Sequence, residues 1–168
     1  MNLARATHLS RRFVTSLWPG GPSRAGEQWV TGQLLPAELE LWKRMSGADR
    51  RHALGVARRV ERALGHEASR PVVAAALLHD VGKLAARIGT LRRVAATVVD
   101  PRPGWEDRRG WRRRLALYRD HGRLGADMLS LAESDPLTVA WAAQHHLPPE
   151  RWTVPRLLAD ALKSADDD

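Results

Sequence analysis

The dipeptide His79-Asp80 interrupts an apolar run, Pro71-Val-Val-Ala-Ala-Ala-Leu-Leu-His-Asp-Val-Gly-Lys83. An imidazole and a carboxylate are expensive to bury without partners, so other parts of the chain have to compensate them. The candidates are His52 upstream and His121, the pair His145-His146, Asp160 and Asp166 downstream. With His79 and Asp80, five of the seven histidines and a late aspartate can be read as one constellation of metal ligands. Nitrogen and oxygen donors without sulfur suit Mn, Fe, Co, Ni or Zn better than a soft metal. The chain has no cysteine, which removes disulfides, thiolate zinc sites and cysteine nucleophiles and fits a reducing cytosol.

These donors need rigid elements to hold them, and the pattern of the chain is helical. Ser46 with Asp49 makes a capping box that opens a helix running to Gly65, with His52, Val56, Ala57, Val60 and Leu64 near one face. Pro71 suits the first turn of the next helix, and Val72 to Leu78 make it the central one. His79 and Asp80, read as part of that helix, point about 100° apart. They reach one ion lying between their directions, or two neighbouring ions bridged by the carboxylate.

Further helices are expected over 90–99, 111–131, 135–146 and 155–166, the third opened by Asp135-Pro136. No alternating strand pattern competes, so the fold class is all-α. Pro19 to Gly26 reads as a turn-rich linker, and Asp100 to Gly110 and Leu147 to Pro155 read as loops. The division expected is a basic N-terminal segment and linker over 1–26 and one helical domain over 27–168.

The formal charge is +8, and only Lys43, Lys83 and Lys163 among 27 basic residues are lysine. Such an arginine-rich surface attracts phosphates, nucleotides or nucleic acid, or it simply solubilises helices. The first eighteen residues are basic, amphipathic and free of acid. They resemble a transit peptide or an interfacial helix, and lack the continuous apolar stretch of a secretory signal. The expectation is an N-terminal helix packed on the domain, with docking to a membrane surface as the alternative. No apolar run approaches the roughly 20 residues of a membrane span. Trp42 and Trp141 read as core. Trp105, Trp111 and Trp152 either pack the loops or stack on a base.

His52, then His79-Asp80, then a late aspartate resembles the H…HD…D signature of the HD-domain phosphohydrolases. His-Asp-Val-Gly-Lys-Leu84 is similar to the HD-x-GK form found in the HD-GYP group and its relatives. The additional histidines of that form resemble His121 in His-Gly-Arg-Leu-Gly-Ala126 and the pair in Gln144-His145-His146. After His146 the chain reads Leu-Pro-Pro-Glu-Arg-Trp, without a Gly-Tyr-Pro motif, so cyclic dinucleotide hydrolysis is not carried over.

The resemblance implies a single HD-domain-like helical bundle, one or two divalent metals, and hydrolysis of a phosphate ester or anhydride. Its implied metal ligands are His52, His79, Asp80, His121, His145, His146 and Asp166. Asp166 in Leu162-Lys-Ser-Ala-Asp166 is preferred to Asp160. His121 and His145 would hold a second metal, although each could instead be a local turn or cap residue. Mn or Fe is expected first, with Co, Ni, Zn or Mg as alternatives.

Asp80 and Lys83 are the expected catalytic residues. Lys83 and His146 are expected to contact a small phosphorylated substrate, a nucleotide foremost, and an alternative role for Lys83 is a salt bridge with Asp80. The rival readings are an HD-fold di-iron oxygenase and a non-catalytic signalling or nucleic-acid-binding module. The expected location is cytoplasmic, with peripheral membrane or nucleic-acid contact through the arginines.

Overall fold

The computed structural model describes residues 20–86, 105, 107 and 109–168. The basic segment 1–19, the helix expected over 90–99 and most of the loop over 100–110 lie outside the described residues. Those described form helices without a strand: α1 (Arg24–Thr31), α2 (Pro36–Arg44), α3 (Gly47–Leu64), α4 (Arg70–Leu78), α5 (Lys83–Ala86), α6 (Trp111–Arg119), α7 (His121–Leu131), α8 (Pro136–Gln144) and α9 (Arg156–Asp167). Short 3₁₀ turns lie at Gly65–Glu67 and Pro149–Arg151. The chain is an all-α bundle, and none of its described helices is long and apolar enough to cross a membrane.

The local chemistry explains the boundaries of α3. Ser46 Oγ accepts the backbone N–H of Asp49 at 3.2 Å and donates to its carboxylate at 2.6 Å, which satisfies a free donor of the first turn. At the other end Gly65 takes φ 55°, the left-handed region in which a residue with a Cβ is strained. Every residue of α4 from Val72 to Leu78 is buried. A helix apolar on all sides belongs at the centre, and α4 packs against both α3 and α8. Around it, α9 packs on α3 and α7 on α8. Trp42 and Trp141 are both core residues.

Four boundaries differ from the sequence expectation. Ser23 Oγ accepts the N–H of Gly26, so α1 starts at Arg24 and the last three residues of the expected linker are helical. The central helix stops at Leu78. Beyond it Val81, Lys83, Leu84 and Ala85 donate to carbonyls three residues back, each at 3.0 Å, so His79 and Asp80 sit in tight turns between α4 and α5. The helix expected over 111–131 is two helices that change direction at Asp120. The helix expected over 135–146 ends at Gln144, leaving His145 as its cap. At the end of α4 hydrophobic period marks the apolar face but does not register where the backbone of α7 crosses at Gly82.

Candidate metal centre

Five elements deliver polar side chains to one place. His52 comes from the second turn of α3, His79 and Asp80 from the turn after α4, His121 from the start of α7, His145 and His146 from the end of α8, and Asp166 from the last turn of α9. His79, Asp80, His121, His145 and Asp166 are buried, His52 is half-buried and His146 is exposed.

Three of the imidazoles are oriented by the same device. The Nδ1 atoms of His79, His121 and His145 lie 2.9, 2.6 and 2.9 Å from the carbonyl oxygens of Ala76, Tyr118 and Ala142, each three residues earlier. A carbonyl only accepts, so Nδ1 donates and Nε2 is turned inward as the remaining donor atom. His79 Nε2 and His145 Nε2 are buried and make no hydrogen bond. Buried polar atoms left this way are rare in folded proteins. A cation in reach of each would satisfy them.

Distances group the ligand atoms into two sets that share one carboxylate. Asp80, His121, His145 and His146 offer atoms within 4.8 Å of one another, and so do His52, His79 and Asp80. Asp80 Oδ1 is 3.2 Å from His121 Nε2 and 3.8 Å from His145 Nε2, while Oδ2 is 3.5 Å from His79 Nε2. His146 Nε2 lies 3.0 Å from His121 Nε2. Asp166 Oδ1 is 2.9 Å from His52 Nε2 and 3.5 Å from His79 Nε2. Asp160 lies elsewhere, exposed and accepting from Arg156 Nε at 2.8 Å. Of the two late aspartates left open by the sequence, Asp166 therefore stands in the cluster.

The electrostatics call for positive charge at this point. Burial opposes a charge on His79, but Asp80 and Asp166 override it and push its pKa up to about 10. The two carboxylates thus favour positive charge at His79. Burial likewise works against ionised Asp80 and Asp166, yet Lys83 and His79 hold the first, and His52 and His79 the second, well below the usual carboxylate range. His145 goes the other way: burial, with His79 and His146 beside it, drives its pKa far down and keeps it neutral, as a metal ligand requires. The donor set thus fits a divalent metal ion, and it contains imidazole and carboxylate only.

Lys83 forms an ion pair with Asp80, the alternative that the i,i+3 spacing left open. Its ammonium also lies 5.8 Å from the centre of the Tyr118 ring. Asp80 raises the Lys83 pKa against the effect of burial. Trp152 takes the packing role: its Nε1 donates to the carbonyls of Gln144 and Leu147 at 3.1 and 3.0 Å, and its ring meets Trp141 edge-on. It thereby pins the loop that follows the paired histidines.

Two contributors escaped the sequence reading. The carbonyl of Tyr118 orients His121, a role visible only in the repeated three-residue spacing from carbonyl to histidine. Arg59 Nε donates to the carbonyl of Ala165 at 2.9 Å, tying the last turn of α9, and with it Asp166, to α3. No local motif marks that arginine.

With this geometry in place, the family follows: the model of the HD domain matches residues 50–167, and the chain belongs to the HD-domain family. The match spans every residue of the cluster, from His52 to Asp166. No curated protein and no solved structure matches the chain.

Proposed function

We propose that this HD-domain protein is a metal-dependent phosphohydrolase that cleaves a phosphate ester or anhydride of a small substrate, a nucleotide foremost. The observation that carries the reading is the shared carboxylate: Asp80 belongs to both donor sets, one with His52 and His79, the other with His121, His145 and His146. Asp166 completes the first set through its approach to His52 and His79. Mn and Fe suit these donors best, with Co, Ni, Zn or Mg able to replace them. When bound, such ions make water acidic enough to yield hydroxide near neutral pH and neutralise charge developing on phosphoryl oxygens.

The chain's own groups divide the remaining tasks. Asp80 anchors both donor sets and, through its ion pair, aims Lys83 at the same point. The Lys83 ammonium holds a phosphoryl oxygen and stabilises the departing charge. His146, the exposed member of the cluster, lies where a substrate enters and contacts it. The carbonyls of Ala76, Tyr118 and Ala142 keep three imidazoles in one tautomer, so no reorientation is needed during turnover.

The test is elemental analysis of protein purified without a chelating tag, coupled to a hydrolysis screen across nucleotides, cyclic nucleotides and simple phosphomonoesters. Metal and turnover should be present together and lost together in Asp80→Ala. Full metal occupancy in that variant, or metal-replete wild-type protein inert to every phosphate ester and anhydride tried, would overturn the reading.

A further inference from the structure

The exposed side of α6 has no part in the metal centre. Trp111 opens this helix with 54% of its surface exposed, and Arg112, Arg113 and Arg114 follow it, also exposed, while Leu115 is buried. Three other surface arginines meet local acids, Arg58 at Glu61, Arg123 at Asp120 and Asp127, and Arg156 at Asp160. Among the described residues no carboxylate pairs with Arg112, Arg113 or Arg114. Instead the Arg112 guanidinium stands 5.6 and 5.7 Å from the ring centres of Trp105 and Trp111, which meet edge-on at 5.5 Å. The result is an indole platform bordered by three exposed arginines.

The platform shares its helix with a residue at the metal centre. Trp111, Arg114 and Tyr118 recur at the spacing of one helix face. At the far end of that face Tyr118 stands against Lys83 and orients His121. The rise of a helix places Trp111 about 10 Å from Tyr118 along the axis.

From this juxtaposition we infer that α6 is a docking surface for single-stranded nucleic acid, with an unpaired base stacked on Trp111 and phosphates held by Arg112, Arg113 and Arg114. Its direction toward Lys83 rests on the phosphohydrolase reading, whereas binding itself does not. Charge complementarity is the first reason, since the chain carries +8 overall and three consecutive arginines are exposed beside the indoles. An exposed indole next to guanidinium planes is the second, because every base offers a π-face once it is unstacked. A lipid surface fits less well: an interfacial helix presents a broad apolar face, and here Trp111 is the single large apolar side chain of α6 that is exposed.

The test uses the full-length metal-free chain and a short fluorescent oligothymidylate, with binding read by anisotropy at several salt concentrations. Affinity should fall with salt at a logarithmic slope of about −2, as expected for three phosphates neutralised on a single strand. Trp111→Ala should bind about tenfold more weakly, the effect of losing one stacked base. Arg113→Ala/Arg114→Ala should reduce the slope by more than half, with circular dichroism and melting temperature confirming that both variants are folded. Absence of binding, affinity unaltered in both variants, or equal affinity for duplex of the same length would overturn the inference. Binding to phosphatidylserine vesicles in place of the oligonucleotide would overturn it in favour of a membrane surface. Because no turnover is read, an inert enzyme that binds oligothymidylate separates failure of the hydrolase reading from failure of this one.

Discussion

Gly82 faces the backbone of His121 so closely that a Cβ on Gly82 would lie 1.8 Å from the His121 carbonyl oxygen and 2.6 Å from the Gly125 nitrogen. The glycine between His79-Asp80 and Lys83 is thus the point at which α7 crosses the turn after α4. That contact brings His121 Nε2 to 3.2 Å from Asp80 Oδ1.

Gly82→Ala should therefore push α7 away and remove His121 from the cluster. The obstructing atoms are backbone and cannot rotate aside, so the cost should exceed the roughly 1–3 kcal/mol of ordinary overpacking. Gly55→Ala is the control: a Cβ there meets only the guanidinium of Arg59 at 3.4 Å, and mid-helix alanine should stabilise by up to about 1 kcal/mol. Thermal melts with metal analysis check the pair, and a Gly82→Ala protein as stable and metal-rich as wild type would refute the crossing argument.

How far the site could be read from sequence follows from where the information lies. His79 and Asp80 stand out because ionisable groups inside an apolar run demand partners, and the caps of α3 are written locally in Ser46, Asp49 and Gly65. The break of the central helix at Leu78 is not written locally, because it depends on the passage of α7 over Gly82, a contact between segments far apart in sequence. The same holds for Arg59, which reaches Ala165 across the bundle. Asp160 and Asp166 are alike in sequence, both following alanine in an amphipathic helix; only the rotation of α9 on α3 decides which faces His52 and which pairs with Arg156.

The division of ligands around Asp80 predicts a difference between two histidine variants. His121→Ala removes a donor from the set with His145 and His146, whereas His52→Ala removes one from the set with His79. Each should lower metal content by about one ion per chain, as expected for a dinuclear hydrolytic site. Mass spectrometry under native conditions resolves the stoichiometry. A wild-type protein that takes up a single ion, unchanged in His121→Ala, would leave His121 with a structural role.

Lys83→Met keeps the long stem and removes the ammonium that Asp80 orients. Metal content should be retained while turnover falls by about 30- to 1,000-fold, equivalent to roughly 2–4 kcal/mol of transition-state stabilisation. If the ion pair with Asp80 were the whole role of Lys83, the loss would appear in the stability of this buried pair, at about 3–5 kcal/mol, while turnover of the metal-loaded protein would change little. Single-turnover kinetics on metal-loaded protein distinguishes the two, and near wild-type rates would remove Lys83 from the mechanism.

The charge state of His79 predicts how the metal-free protein responds to pH. Its folded pKa of about 10 lies above the ordinary 6.5, so the stability it contributes is fully present below pH 6.5 and is lost as pH rises through 10. His145 acts on the other side: held neutral in the fold, it costs stability as pH falls below 6.5, when the unfolded chain takes up a proton that the folded chain refuses. Asp80 and Asp166, with lowered pKa values, add to the acid-side loss once pH drops below 3.8. The metal-free melting temperature should accordingly peak near pH 6.5 and decline on both sides. Metal loading should abolish the alkaline decline, because the ion takes the place of the His79 proton, and near neutral pH it should release that proton to the buffer. Calorimetric titration with Mn in buffers of different ionisation enthalpy measures the release; loading without proton release, together with a flat metal-free melting temperature between pH 6.5 and 10, would show that the two carboxylates do not hold His79 charged.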